Sequence, residues 1–306
     1  MNRHAYLLML HDHFPQAARL IKSISHARND IYIHIDAKAD FKESDRRLLM
    51  EAAGASSVFF TDRISVSWAD TSLTRAELIL LEAAAKGHYA CYHLLSGADL
   101  LLKPVQQVLD FFDAHPGREF VSFSTEEWQQ EFQKRCRYYW LFQKQIGRPR
   151  AALQSRNIYK LGLLLIQRGL IQIQKLLHVD RRKKYGKPFA FGSNWFSITH
   201  DFAAYVLAHK DLVLRICSHT VCSDESFLQT LLVSSPFCEN RFTDSSLPDP
   251  YFSNMRFIDF HRGNPYVFRL EDYDQLMNSG CLFARKFSPE TDDAVIKKIY
   301  TEVHHC

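Results

Sequence analysis

The chain contains none of the local signatures that mark the commoner nucleotide and hydrolase chemistries. No GxGxxG follows its first apolar run, which counts against a dinucleotide-dependent oxidoreductase. No GxxxxGK[ST] occurs, so a P-loop is excluded, and no GxSxG elbow points to a serine hydrolase. Cysteine occurs at Cys91, Cys136, Cys217, Cys222, Cys238, Cys281 and Cys306, but no two form a CxxC pair. The odd number and irregular spacing argue against a zinc site and against a fully paired disulfide framework, so a reducing cytoplasm fits best. Long hydrophobic runs are missing as well. Ala5 to Leu10 is too short for a signal core or a membrane span, and Leu161 to Ile166 is ended by Gln167 and Arg168. The second run reads as a buried or interfacial helix. There is no internal repeat, no low-complexity tract and no nucleic-acid motif.

What is present is ordinary for a globular protein: 46% hydrophobic and 24% charged residues in 306 positions, enough for one large domain or two small ones. The 23 Phe and 13 Tyr suit carbohydrate faces, but they are equally core filler. The net charge of +4 is spread along the chain. Its densest basic run is Arg181-Arg182-Lys183-Lys184. A solvated face or loop is the plain reading of that run, and a polyanion or peripheral membrane contact is the alternative.

Along the chain, Ala5–Leu10 reads as a buried strand, Gln16–Ser25 as a helix and Ile31–Asp36 as a second strand. That order implies a right-handed parallel crossover. Val58–Phe60 and Tyr89–Leu95 are further strands, Thr71–Ala85 and Val105–Phe112 are helices, and Phe120–Phe123 is strand-like. The first ~120 residues therefore alternate as in a doubly wound α/β sheet. His11, Asp36 and Asp99 fall just beyond strand ends, where such sheets bind ligands. From Glu126 to Lys187 the pattern becomes polar, basic and helical, as in an inserted arm. Sheet-like residues resume at Phe189–Ile198. Phe202–Leu207 and Glu225–Val233 read as helices, Ser234–Ser253 as a loop and Met255–Phe260 as a late strand.

Several short strings carry chemistry, and each has a plainer alternative. His11-Asp12-His13 offers two metal ligands without a visible third, so a polar loop at a nucleotide mouth is the better reading. Asp272-Tyr273-Asp274 fits the loose DxD pattern of metal-holding sugar transferases, but as acids opening a helix they read as caps. Asp36 is either a turn-capping carboxylate or a ribose- or base-binding one. Asp224-Glu225 could cap the helix that follows, place a general base in a cleft, or do both. Arg285-Lys286 lies in the mostly apolar segment Leu282–Phe287. Buried cations need partners there, which a diphosphate or a structural carboxylate would supply.

Taken in order, these strings resemble the core-2/I-branching β-1,6-N-acetylglucosaminyltransferase family (glycosyltransferase family 14), which also contains the peptide O-xylosyltransferases. The resemblance runs through the first strand into His11, Ile33-His34-Ile35-Asp36-Ala37-Lys38 and Val66-Ser67-Trp68-Ala69. It continues through Leu95-Ser96-Gly97-Ala98-Asp99, Phe191-Gly192-Ser193-Asn194-Trp195-Phe196, Ser223-Asp224-Glu225-Ser226-Phe227 and Leu282-Phe283-Ala284-Arg285-Lys286-Phe287. The arm from Glu126 to Lys187 resembles nothing placed.

The resemblance implies a GT-A-like α/β fold: a mixed, mostly parallel sheet flanked by helices, with a helical insertion. The expected layout is one domain over 1–306. Residues 1–124 form its nucleotide-sugar half, 125–187 the insertion and 188–306 the acceptor and catalytic half. It implies a UDP-sugar donor, inversion at the anomeric carbon and no metal or other cofactor. Glu225 is the implied catalytic base. Lys286, Arg285 and, on a looser match, Arg262 are the implied diphosphate ligands. His11, Asp36 and Asp99 would face the nucleotide or donor, and Trp195 and Asp224 the acceptor. The expected partner is a glycan or lipid-linked saccharide, with no nucleic acid and a membrane contact near Arg181. GlcNAc in β-1,6 linkage is the first donor reading. Transfer from UDP-xylose, or a carbohydrate-binding protein without activity, are the alternatives. Unlike animal members, the chain opens directly on a strand, its cysteines do not suggest their disulfide set, and no Pro soon follows Asp99. A soluble bacterial enzyme at the cytoplasmic face of a membrane is therefore expected.

Overall fold

A computed structural model describes residues 2–147, 152–153, 157–186, 188–247 and 249–305. Met1, Cys306, position 248 of the expected 234–253 loop and positions 148–151, 154–156 and 187 of the expected arm lie outside the described residues.

Six strands form the main sheet: β1 (His4–Leu10), β2 (Asn29–Ile35), β3 (Ser57–Phe60), β4 (Cys91–Ser96), β6 (Phe120–Val121) and β7 (Phe196–Ile198). Their order is β3-β2-β1-β4-β7-β6. The first four run parallel to one another, while β7 pairs antiparallel with β4 and with β6. A second sheet, ordered β5-β9-β8, is built from β5 (Asp99–Leu101), β8 (Arg256–Ile258) and β9 (Phe283–Arg285).

Both faces of the main sheet are covered, which is why β1 is apolar without alternation. Ala5 and Leu7 point into one core with Tyr92 and Leu94, under the helices Ser72–Ala85, His200–Ala208 and Phe227–Val233. Tyr6, Leu8 and Leu10 point into the other with Ile31, Ile33 and Leu95, under Phe14–Ile24, Glu43–Ala52 and Val105–Ala114. A third core packs the small sheet, through Leu100, Phe257 and Ala284, on the C-terminal helix Pro289–His305. Truncating any of these fully buried leucines to alanine is expected to cost about 2–5 kcal/mol.

Arg256 joins the two sheets. It is 2% exposed, and its guanidinium donates to the carbonyls of Asn254, Leu94 and Phe196. Burial lowers its pKa to about 10, against the opposing pull of Asp99.

The sequence expectations need four corrections. The helix Glu43–Ala52 buries only Leu49, so it leaves little apolar periodicity to read. Only Phe196–Ile198 of the segment 189–198 is strand. Before it, neighbouring side chains take the backbone amides: Ala190 donates to Thr230 Oγ1, Phe191 to Gln129 Oε1 and Ser193 to Ser122 Oγ. The helix expected from Glu225 begins at Phe227, and Glu225 closes a separate 3-10 turn, Ser223–Glu225. Finally, the 181–184 run is not a solvated face throughout. Arg181 is buried and donates to the carbonyls of Tyr138, Ile216 and His219, while Arg182 is paired with Asp180 at 2.5 Å.

Candidate active site

Glu225 sits on a turn that distant segments hold from three sides. Cys222, which precedes the turn, has a left-handed backbone (φ 51°), and its amide donates to the carbonyl of Ala69, also left-handed (φ 61°). Two non-glycine residues in that region mark a local conformation that the surroundings enforce. The helix Ser72–Ala85 brings Thr74 to Ser223, with their hydroxyls 2.9 Å apart. On the third side, the Gly192 amide donates to the Glu225 carbonyl at 2.9 Å. Only glycine fits there, because a Cβ would lie 1.9 Å from the Ser122 carbonyl oxygen.

The Glu225 carboxylate is held by Arg135, Nη1 to Oε2 at 2.5 Å. Arg135 in turn stacks on Phe132, 3.9 Å from the ring centre. Burial works against the Arg135 charge, but Glu225 and other nearby acids raise its pKa above the ordinary value.

Behind this pair lie two buried carboxyls. Asp224 is raised by desolvation and then by the Glu225 charge. Glu77 is raised well above the usual range by burial and by Asp224. One oxygen of each lacks a hydrogen-bond partner, and Asn194 donates to the other oxygen of Glu77 at 3.5 Å. Unpartnered buried carboxyls favour the protonated form.

The cationic side is built across β5 and β9. Asp99 and Arg285 are direct cross-strand partners, and Arg285 Nη1 reaches Asp99 Oδ1 at 3.2 Å and Ser96 Oγ at 3.2 Å. The Arg285 guanidinium lies 4.1 Å over the Trp195 ring, a cation–π contact. Burial lowers the Arg285 pKa while Asp99 and Tyr251 oppose that shift. Asp99 is raised by desolvation, against the pull of Arg285.

Burial and the Glu225 charge raise the Tyr251 phenol, and Tyr251 opposes the lowering of Arg285. Lys286 follows Arg285, and its charge acts on His11 and Asp12, which are 3.2 Å apart in the loop after β1. The Asp12 hydrogen bond raises His11 most, and Asp36 adds to the rise. Lys286, His11, Asp12 and Asp36 therefore form one electrostatic neighbourhood at the carboxyl ends of β1 and β2.

Other expected site residues are engaged structurally. Asp36 Oδ1 accepts from the amides of Lys38 at 2.9 Å and Val66 at 3.3 Å. Arg262 is committed to two carboxylates, Asp259 at 2.5 Å and Asp272 at 2.6 Å, and stacks on Tyr266. Asp272 also accepts from the Arg269 amide at 2.8 Å, so it caps the 3-10 turn Leu270–Asp272 that it closes. Trp195 and Asp224 are both buried, Trp195 beneath Arg285. Among the described residues, no group of three or more His, Cys, Asp or Glu is arranged to hold a metal ion. A depression of about 220 Å³ beyond β2 and β3, lined by Ile35, Phe60, Thr61 and Arg63, adjoins Asp36 rather than Glu225; Arg63 donates to the Asp36 carbonyl at 2.9 Å.

Sequence reasoning missed Arg135, Tyr251 and Glu77. Glu77 left a signal, since it falls on the apolar stripe of its helix, three residues after Thr74 and four before Leu81. Arg135 left none, because it is one of many cations in the arm.

A family model described as Branch, Core-2/I-Branching enzyme, matches residues 4–275. The chain belongs to this family of glycosyltransferases. It is 24% identical to "Xylosyltransferase oxt" of Drosophila melanogaster, over 97% of this chain and 33% of the relative. It is 26% identical to human "Xylosyltransferase 2", over 96% of this chain and 33% of the relative. The chain thus spans about a third of the length of these relatives. A mouse Xyloside xylosyltransferase 1 structure covers 92% of this chain and 96% of its own, at 10% identity and a TM-score of 0.40.

Proposed function

We propose that this chain is an inverting, GT-A-like glycosyltransferase that moves a sugar from a UDP-sugar to a glycan hydroxyl without a divalent metal. The observation that carries the reading is that the turn of Glu225 packs on Gly192, three residues before Trp195, and the Arg285 guanidinium lies 4.1 Å over the ring of Trp195, so one segment holds both the carboxylate and the cation. In this reading Glu225 takes the proton from the acceptor hydroxyl as it attacks. Negative charge then grows on the β-phosphate as the C–O bond to UDP breaks. Lys286 and Arg285 face that charge as fixed, pre-oriented cations. Arg262 is the weaker candidate, since a phosphate would have to displace two carboxylates from it.

Similarity to proteins named xylosyltransferases favours xylose as the donor sugar, and the resemblance to the branching N-acetylglucosaminyltransferases favours GlcNAc. The proposed setting is the bacterial cytoplasm, with a lipid-linked or surface glycan as acceptor. The odd number and irregular spacing of the cysteines support a reducing compartment. UDP release measured over UDP-xylose, UDP-GlcNAc, UDP-galactose and UDP-glucose, with and without EDTA, tests the proposal. Release with one donor that survives EDTA and is lost in Glu225→Gln supports it. No release with any donor points instead to a carbohydrate-binding protein on this fold, and loss of activity in EDTA removes the metal-free mechanism.

A further inference from the structure

The helix Ile158–Leu176 is mounted with its polar side inward. Gln167 accepts from the Leu141 amide at 2.8 Å and donates to the Tyr139 carbonyl at 3.2 Å. Two turns on, Gln174 accepts from the Tyr139 amide at 2.7 Å and donates to the same carbonyl at 3.1 Å. These bonds fix the rotation of the helix about its axis, and Leu164 packs inward with Ile146 and Ala152. The opposite side is then apolar throughout. At about 100° per residue, Ile158, Leu165, Ile166, Ile173 and Leu176 share an arc of roughly 120° with two glycines and Tyr159. Exposure of the five aliphatic side chains runs from 52% at Ile173 to 84% at Ile158. A contiguous apolar face of this kind marks a docking surface rather than scattered surface residues.

Charge selects what covers it. From 132 to 179 the chain carries ten lysines and arginines and no aspartate or glutamate. Arg168 and Lys175, both exposed, border the apolar arc on one side. A second copy of the same face would set cation against cation, whereas an anionic bilayer meets both the apolar strip and the cations beside it. No described helix is long and apolar enough to cross a membrane.

We propose that this helix lies in the plane of an anionic membrane surface, its aliphatic arc in the headgroup–acyl boundary and Arg168 and Lys175 extended to lipid phosphates. The inference stands on this surface alone and is independent of the transfer reaction. It places the membrane contact on the helix face, since Arg181 is buried.

Flotation with vesicles tests it, comparing pure phosphatidylcholine with vesicles about one third phosphatidylglycerol. The protein should float with the anionic vesicles, weakly with the neutral ones, and less as salt rises. The double variant Ile166→Glu with Ile173→Glu should lower anionic binding at least ~10-fold while UDP release on a soluble acceptor is unchanged. Ile173→Gln alone, a gentler change on the same arc, should move binding in the same direction. Lys183→Glu with Lys184→Glu should have the smaller effect. Absence of flotation with anionic vesicles overturns the proposal. So does a dimer in solution that either helix variant converts to monomer, because a second copy would then be what covers the face.

Discussion

Arg135 Nη1 lies 2.5 Å from Glu225 Oε2, joining residues 90 positions apart. The contact makes the first helix of the arm part of the candidate site. Arg135 stands at the start of that arm, on the helix Glu126–Arg137, whose side chains Gln129 and Gln133 also donate to the carbonyls of Phe191 and Phe189. The arm thus fixes both the carboxylate and the backbone run that leads to Trp195.

Glu225→Gln keeps the shape of the side chain and removes its basicity. Turnover should fall by at least roughly 10²-fold with UDP affinity nearly unchanged. Steady-state kinetics with calorimetric UDP binding separates the two, and a variant that retains wild-type kcat excludes Glu225 as the base.

Arg135→Met removes the cation beside Glu225 but preserves much of the packing on Phe132. Activity should fall about 10-fold, because the carboxylate loses the group that orients it. Arg135→Lys should recover part of the loss. A kcat that Arg135→Met leaves unchanged would make Arg135 a purely structural residue.

Lys286→Ala should weaken UDP binding about 10- to 100-fold, the scale of losing one charge-assisted hydrogen bond. Turnover should fall with it. Arg262→Ala should change UDP binding far less, because Asp259 and Asp272 already occupy that guanidinium. The reverse order of the two variants would reassign the phosphate ligand.

Gly192→Ala places a methyl against the Ser122 carbonyl and so displaces the amide that holds the Glu225 backbone. Activity should drop at least ~10-fold with stability lowered by about 1–3 kcal/mol. Activity matching that of the native chain would show that this approach does not set the position of Glu225.

Stability should fall with rising pH across the weakly acid range, and Glu119 is the group to test. Burial raises its pKa from 4.5 to about 7, although hydrogen bonds from the Thr199 amide and hydroxyl oppose the rise. The folded state therefore holds a proton that the unfolded chain has released. That contribution is complete below about pH 4.5 and is lost as pH passes about 7. Glu119→Gln keeps an acceptor for the Thr199 amide and should flatten urea-denaturation stability over this window by on the order of 3 kcal/mol. An unchanged slope would place the titration elsewhere.

The apolar run at Ala5–Leu10, the periodicity of Thr71–Ala85 and the carboxylates after strand ends were legible because each depends on local spacing. A strand buried on both faces must be apolar throughout, and a helix on a core must repeat near 3.6 residues. The short strands Asp99–Leu101 and Phe283–Arg285 were not legible as a pair, because three residues carry no period. Yet their antiparallel register is what sets Asp99 against Arg285.

From its residues alone this chain determined its α/β class, the order of its first elements and the strings that join it to a family, since each is a matter of neighbours along the chain. Tertiary structure decided which charges are engaged and which face the site. It buried Arg181, committed Arg262 to two carboxylates and brought Arg135 to Glu225. Long-range packing chooses a charge's partner, and nothing in local sequence encodes a contact that spans 90 residues.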